Sequence, residues 1–128
     1  MKYNLSGKSS LSFGYGLHSQ MQPINIYYNQ VQNLNGTYSG GNTELGFTKS
    51  HHLVLGYDLE PHKDWRIKAE IYYQYLFDVP VDSASSSYSM LNTGASFKPD
   101  LATNLKNSGT GKNYGAELTI EKFFSRGY

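Results

Sequence analysis

Residues 65 to 77, WRIKAEIYYQYLF, alternate without a break. Trp65, Ile67, Ala69, Ile71, Tyr73, Tyr75 and Phe77 hold the odd positions, and Arg66, Lys68, Glu70 and Gln74 hold even ones. Successive side chains of a strand point to opposite faces, so a period of two makes this one strand with an apolar, aromatic face and a charged face. A half-buried strand of a soluble sheet and a lipid-facing strand of a barrel both produce such a row. The rest of the chain has to decide between them.

Composition bears on that choice. Of 128 residues only 38% are hydrophobic, yet 15% are aromatic and 12 are Tyr. Soluble cores take their volume from Leu, Ile, Val and Phe, whereas Tyr and Trp are favoured where one end of the ring is dry and the other wet. The net charge of +1, with 11 scattered Lys and Arg, argues against a nucleic-acid partner, which needs a clustered basic surface. The absence of Cys removes disulfides and thiolate metal sites and leaves the compartment open. No run of about 20 apolar residues exists, so a membrane-spanning helix is excluded while a barrel is not. The opening stretch MKYNLSGKSSLSFGYG has no continuous apolar segment and does not read as a secretory leader.

Alternation recurs four times, at unequal intervals. SSLSFGYGLHSQ (9–20) sets Leu11, Phe13, Tyr15 and Leu17 against Ser10, Ser12, Gly14 and Gly16. A polar interval rich in Asn, Gly and Gln, 21–50, reads as a long loop. HHLVLGYDLE (51–60) is a second strand with Leu53, Leu55, Tyr57 and Leu59 on one face and His52, Val54, Gly56 and Asp58 on the other. EPHKD (60–64) is a tight turn, since Pro61 lacks a ladder donor and Asp64 favours turn geometry. The third strand is 65–79. Residues 78–112, with two Pro, a Ser run and three Gly, form a second long loop, and NYGAELTIEKFF (113–124) is the fourth strand, with Tyr114, Ala116, Leu118 and Ile120 opposite Gly115, Glu117, Thr119 and Glu121.

The expected fold is therefore all-β, an antiparallel up-and-down meander whose long and short connections fall at opposite ends. Outer-membrane barrels have this asymmetry, with short periplasmic turns and long outer loops. Placing a Lys or Arg of strand three at the bilayer midplane costs about 2–4 kcal/mol, so the charged face is assigned to a polar lumen and the apolar face to lipid. His52, Asp58, Arg66, Lys68, Glu70, Gln74, Glu117 and Glu121 are then the lumen-facing set. Trp65 at the short-turn end, and Tyr73, Tyr75 and Phe77 at the long-loop end, are expected as two aromatic girdles.

GYGLHSQMQP, ELGFTKSHHLVLGYDL, DWRIKAEIYYQYLFDVPV and GTGKNYGAELTIEKFF resemble consecutive barrel segments of TonB-dependent outer-membrane receptors of Gram-negative bacteria. The resemblance implies a barrel of about 22 strands with a plug domain in its lumen and energy-coupled uptake of a scarce ligand: an iron chelate, cobalamin, a glycan or a peptide. It implies as partners the outer-membrane lipid, the plug of the same parent chain, and TonB through an N-terminal part. The chain holds only about four of these strands and no plug, so residues 1–128 are expected to be a piece of the receptor's barrel domain.

No cofactor, metal site or enzyme activity is expected. His51 and His52 are adjacent on a strand and point to opposite faces, which does not suit chelation of one ion. GTGK (109–112) departs from a phosphate loop at the upstream Gly, at Asn113 and in being followed by a strand. No Ser, His and acid set has a spacing that argues for nucleophilic catalysis. NIYYNQ (25–30) is the densest cluster of loop aromatics and amides, and Tyr27, Tyr28, Asn29 and Tyr38 are the candidate ligand contacts. The alternative reading is a soluble or surface-attached β-rich carbohydrate-binding module, with Tyr27, Tyr28, Tyr38 and Tyr88 stacking on sugar rings.

Overall fold

The structure, a computed structural model, describes residues 1–84, 86–92 and 102–123. It is all-β, with 65% of residues in mostly antiparallel strands and 7% helical. The elements are β1 (Lys2–Ser6), β2 (Ser9–Gln20), α1 (Ile24–Tyr28), β3 (Val31–Gln32), β4 (Tyr38–Ser39), β5 (Thr48–His62), β6 (Trp65–Asp82), a 3-10 turn (Met90–Asn92) and β7 (Leu105–Lys122). Five strands form one sheet in the order β1-β2-β5-β6-β7, and β3 and β4 form a separate two-stranded ribbon. Strands next to one another in this sheet are also consecutive along its meander, apart from the small elements carried in the connections.

The boundaries differ from the sequence reading in instructive ways. A strand not read from the sequence precedes the turn at Gly7 and Lys8: β1 pairs with β2 through Tyr3 opposite Leu11 and Asn4 opposite Ser10. The turn between β5 and β6 narrows to Lys63 and Asp64, with Pro61 inside β5. β5 begins at Thr48 rather than at 51, and the preceding interval is not one loop, since it holds α1 and the β3–β4 ribbon. β6 runs on to Asp82 and β7 begins at Leu105, so the second long connection is 83–104, shorter than 78–112 at both ends.

The chain divides into two compact units. The first comprises Met1–Leu17, His51–Gln74 and Lys112–Tyr128 and includes both short turns; the second comprises His18–Ser50 and Tyr75–Gly111 and includes both long connections.

The first unit is a sheet with its apolar side bare. Phe13, Tyr15 and Leu17 on β2, Ile71 on β6, and Tyr114, Leu118 and Ile120 on β7 are 47–78% exposed. The residues that are buried among the described part of this unit are Ser10 and Gly56, both from the polar face. This inverts the arrangement that drives folding in water, where burial of each Leu, Ile or Phe contributes about 1.5–3 kcal/mol. Seven such side chains at roughly half exposure leave on the order of 10 kcal/mol unrealised, comparable with the whole net stability of a small domain.

The second unit holds the buried apolar residues of the described chain: Ile26 at 1% exposure, Val79 at 1% with Pro80 beside it, and Leu45 at 8%. Ile26 comes from α1, Leu45 from the segment ahead of β5 and Val79 from the end of β6, so the connections have a small core of their own.

β6 is not a regular strand throughout. Asp78 has φ of 55°, the left-handed region, which a non-glycine residue adopts at a cost. A Cβ built on Gly111 of β7 meets Leu76, an even residue, whereas one built on Gly109 meets Val79 and Val81, both odd. Gly109 and Gly111 lie two apart in one strand and share a face. The side-chain parity of β6 therefore reverses at Asp78, as an inserted bulge residue requires. The Asp78 carboxylate pairs with Lys49 at 3.0 Å, and its carbonyl accepts from the Asn107 amide at 2.6 Å, which offsets part of the backbone cost.

Candidate functional site

The charged face of the first unit is knit together across strands. Arg66 donates through Nε to both Asp58 carboxylate oxygens at 3.1 Å and through Nη2 to Oδ2. Its Nη1 lies 3.8 Å from Glu121 of β7, so one guanidinium joins residues of three strands. Lys68 and Glu70, two apart on β6, pair at 2.8 Å. The Asn113 amide donates to Gln74 at 3.1 Å, and His52 meets Tyr72 edge to face at 6.5 Å between centroids. The Thr119 hydroxyl donates to Glu117 at 3.4 Å. These bonds bring Asp58, Arg66 and Glu121 together, and join the other residues of the set to near neighbours. A small open recess of about 230 Å³, lined among others by Lys2, Ser10, Asp58, Glu60 and Arg66, lies on the same face. Such pairs, 19–46% exposed, contribute little each, typically about 0–1 kcal/mol.

Glycines let side chains lie across this face. Tyr72 covers Gly115, where an added Cβ would come within 2.6 Å of the phenol oxygen. Gly56 is overlain by Ser12 and Glu70, and the Ser12 hydroxyl donates to the Gly56 carbonyl at 3.3 Å.

On the opposite face, Tyr15 meets His51 through a 2.9 Å bond to Nδ1 and a stacked ring contact. His51 and His52 thus engage different partners on different faces. Trp65 is 40% exposed with the Lys122 ammonium 5.7 Å from its ring, a cation–π contact at the short-turn end. Tyr73 is 39% exposed. In the second unit Tyr75 stacks on Phe77 at 6.2 Å, and Lys49 stands over Phe77.

The second unit also holds an open polar cleft of about 960 Å³, lined by residues 38–45 with Gln30, Asp82, Ser83, Ala84, Asn104 and Leu105. Its floor is fixed by Asn42, 2% exposed. The Asn42 amide donates to the carbonyls of Ile26 at 2.8 Å and Ala102 at 2.9 Å, and its side-chain oxygen accepts from the Leu105 N–H at 2.9 Å. Every polar atom of this buried side chain has a partner, so the cleft floor is rigidly placed.

Of the four loop residues singled out by sequence, Tyr38 alone lines this cleft. Tyr27 and Tyr28 belong to α1, and Tyr28 projects 69% exposed. Asn29 donates to the Ala102 carbonyl at 3.2 Å and braces the connection instead. Asn42, Thr43, Glu44 and Asn104 were not legible as site residues, because an Asn, Gly and Thr-rich stretch reads simply as turn.

No family model, curated protein or solved structure matches the chain. Functional assignment therefore rests on the geometry of the two faces and the cleft. Among the described residues no group of three or more His, Cys, Asp or Glu is placed to hold a metal ion, and no helix is long and apolar enough to cross a membrane, a statement that does not bear on strands.

Proposed function

We propose that this chain is a segment of the transmembrane barrel of a TonB-dependent outer-membrane receptor. Its bare apolar face meets lipid, its charged face meets the lumen and plug, and its long connections stand outside the cell. The observation that carries the reading is the inversion of the first unit: small polar residues are buried while Phe13, Tyr15, Ile71, Leu118 and Ile120 are exposed. In lipid that arrangement costs nothing, and in water it is unfavourable. Trp65 and Lys122 at the short-turn end suit an interfacial belt. Four of the five sheet strands, at 12–18 residues, exceed the roughly 9–11 needed to span a bilayer.

A soluble binding module would need a cover for the same apolar face. The two readings part on a simple experiment with the full receptor chain. Cys at Ser86 is expected to react with an impermeant thiol reagent on intact cells, and Cys at His62 only after the outer membrane is opened. Reaction at 62 alone on intact cells would reverse the orientation, and a folded monomer in detergent-free buffer would sink the barrel reading.

A further inference from the structure

The cleft of the second unit has a chemistry that selects among ligands. Its ring surface is Tyr38, 65% exposed, and Gln30, Thr43 and Asn104 also line it, each exposed and bearing an amide or a hydroxyl. Amides and hydroxyls supply donors and acceptors together, which matches the hydroxyls of a sugar, and a flat phenol ring matches the apolar C–H face of a pyranose. The floor residue Asn42 has its polar groups already engaged, so ligand hydrogen bonds fall to this rim.

Charge narrows the class. The charged side chains among the described lining residues are Glu44 and Asp82, and no Lys or Arg is among them. Asp82 is turned to its own loop, accepting from the Ala84 N–H and the Ser86 hydroxyl, both at 2.9 Å. An anionic ligand entering here would lose hydration and meet acceptors and a carboxylate, with no cation from the described lining residues to compensate. The volume of about 960 Å³ lies at the upper end of small-molecule sites and accommodates several rings rather than one.

We propose that this cleft captures a neutral oligosaccharide, with Tyr38 as the stacking platform and Asn104 as a hydroxyl contact. The proposal deepens the receptor reading by naming its ligand class, and it rests on that reading for the outward placement of the cleft. Asn104 has φ of 56°, so Asn104→Gly removes the amide without opposing the backbone.

The test is calorimetric titration of the detergent-purified full receptor chain with neutral trisaccharides of glucose, xylose, mannose and N-acetylglucosamine, beside trigalacturonate and ferric citrate as anionic probes. At least one neutral trisaccharide is expected to bind, with Tyr38→Ala weakening it about tenfold or more and Asn104→Gly severalfold, while Leu34→Ala, outside the cleft, leaves it unchanged. Binding of no neutral trisaccharide, tighter binding of either anion, or unchanged affinity in both cleft variants at normal folded yield would overturn it. Thiol labelling at Ser86 and membrane fractionation report on the receptor reading separately. A chain that inserts correctly and binds no sugar sinks this proposal alone, and one that binds sugar through Tyr38 but stays out of the membrane sinks the receptor reading alone.

Discussion

Single residues do disproportionate work in the second unit. Asn42 looks in sequence like another turn former, yet it ties α1, residue 102 and the start of β7 to one point. Asn42→Ala removes the side-chain partners of the Ile26 carbonyl and the Leu105 N–H, at about 1–3 kcal/mol per buried group left unpaired, while the Ala102 carbonyl keeps Asn29. The expected result is faster protease cleavage of the long connections on intact cells, with the sheet itself still resisting denaturation in SDS. Glycines make a graded series. At Gly115 an added methyl meets the Tyr72 ring, whose side chain can swing aside, whereas at Gly109 it meets the Val79 carbonyl oxygen at 3.0 Å and the Val81 side chain at 2.6 Å. Gly109→Ala is expected to cost about 1–3 kcal/mol in a thermal melt and Gly115→Ala less, with Tyr72→Ala relieving the second and not the first.

At the scale of elements, what the sequence disclosed followed from the strength of the period. Residues 65–77 declare a strand because seven odd positions are apolar or aromatic, and the Asp58 and Arg66 that alternation puts on one face do meet. β1 escaped notice because KYNLS offers only Tyr3 and Leu5 as a pattern. The first half of β7, LKNSGTGK, escaped because glycine and polar residues occupy both faces there, so no hydrophobic period exists to detect. The reversal at Asp78 is invisible for another reason: a left-handed residue is announced by Gly or Asn more often than by Asp. Asp78→Gly and Asp78→Asn are expected to assemble, since both tolerate that backbone, and Asp78→Val is expected to fail. Deleting residue 78 leaves Val79 and Val81 on the face of Leu76, as plain alternation would, and is expected to retain the SDS-resistant folded form on a gel, whereas inserting one further residue after 78 moves both valines to the other face and is expected to abolish it.

For the whole molecule, the apolar face discriminates between solvents. Under the proposed reading Ile71, 54% exposed on β6, lies in the lipid band, and Ile71→Arg should cost about 2–4 kcal/mol of barrel stability or block insertion. In water the same exposed position would tolerate Arg within about 0.5 kcal/mol. Urea titration in detergent or lipid vesicles reads the difference, and a neutral result would count against lipid contact. The candidate site was less legible than the sheet, because a cleft assembled from residues 30, 38–45, 82–84 and 104–105 has no signature in any one stretch. The inverted burial of the first unit also changes what collapse means for this chain. With Ser10 and Gly56 inside and the aromatic rows outside, the described residues of the first unit offer water no apolar nucleus around which this part of the sheet can condense. Under the proposed reading, the large heat-capacity change that marks folding in ordinary domains is displaced to transfer from water into the bilayer, so the thermodynamic signature of folding would be that of a partition step.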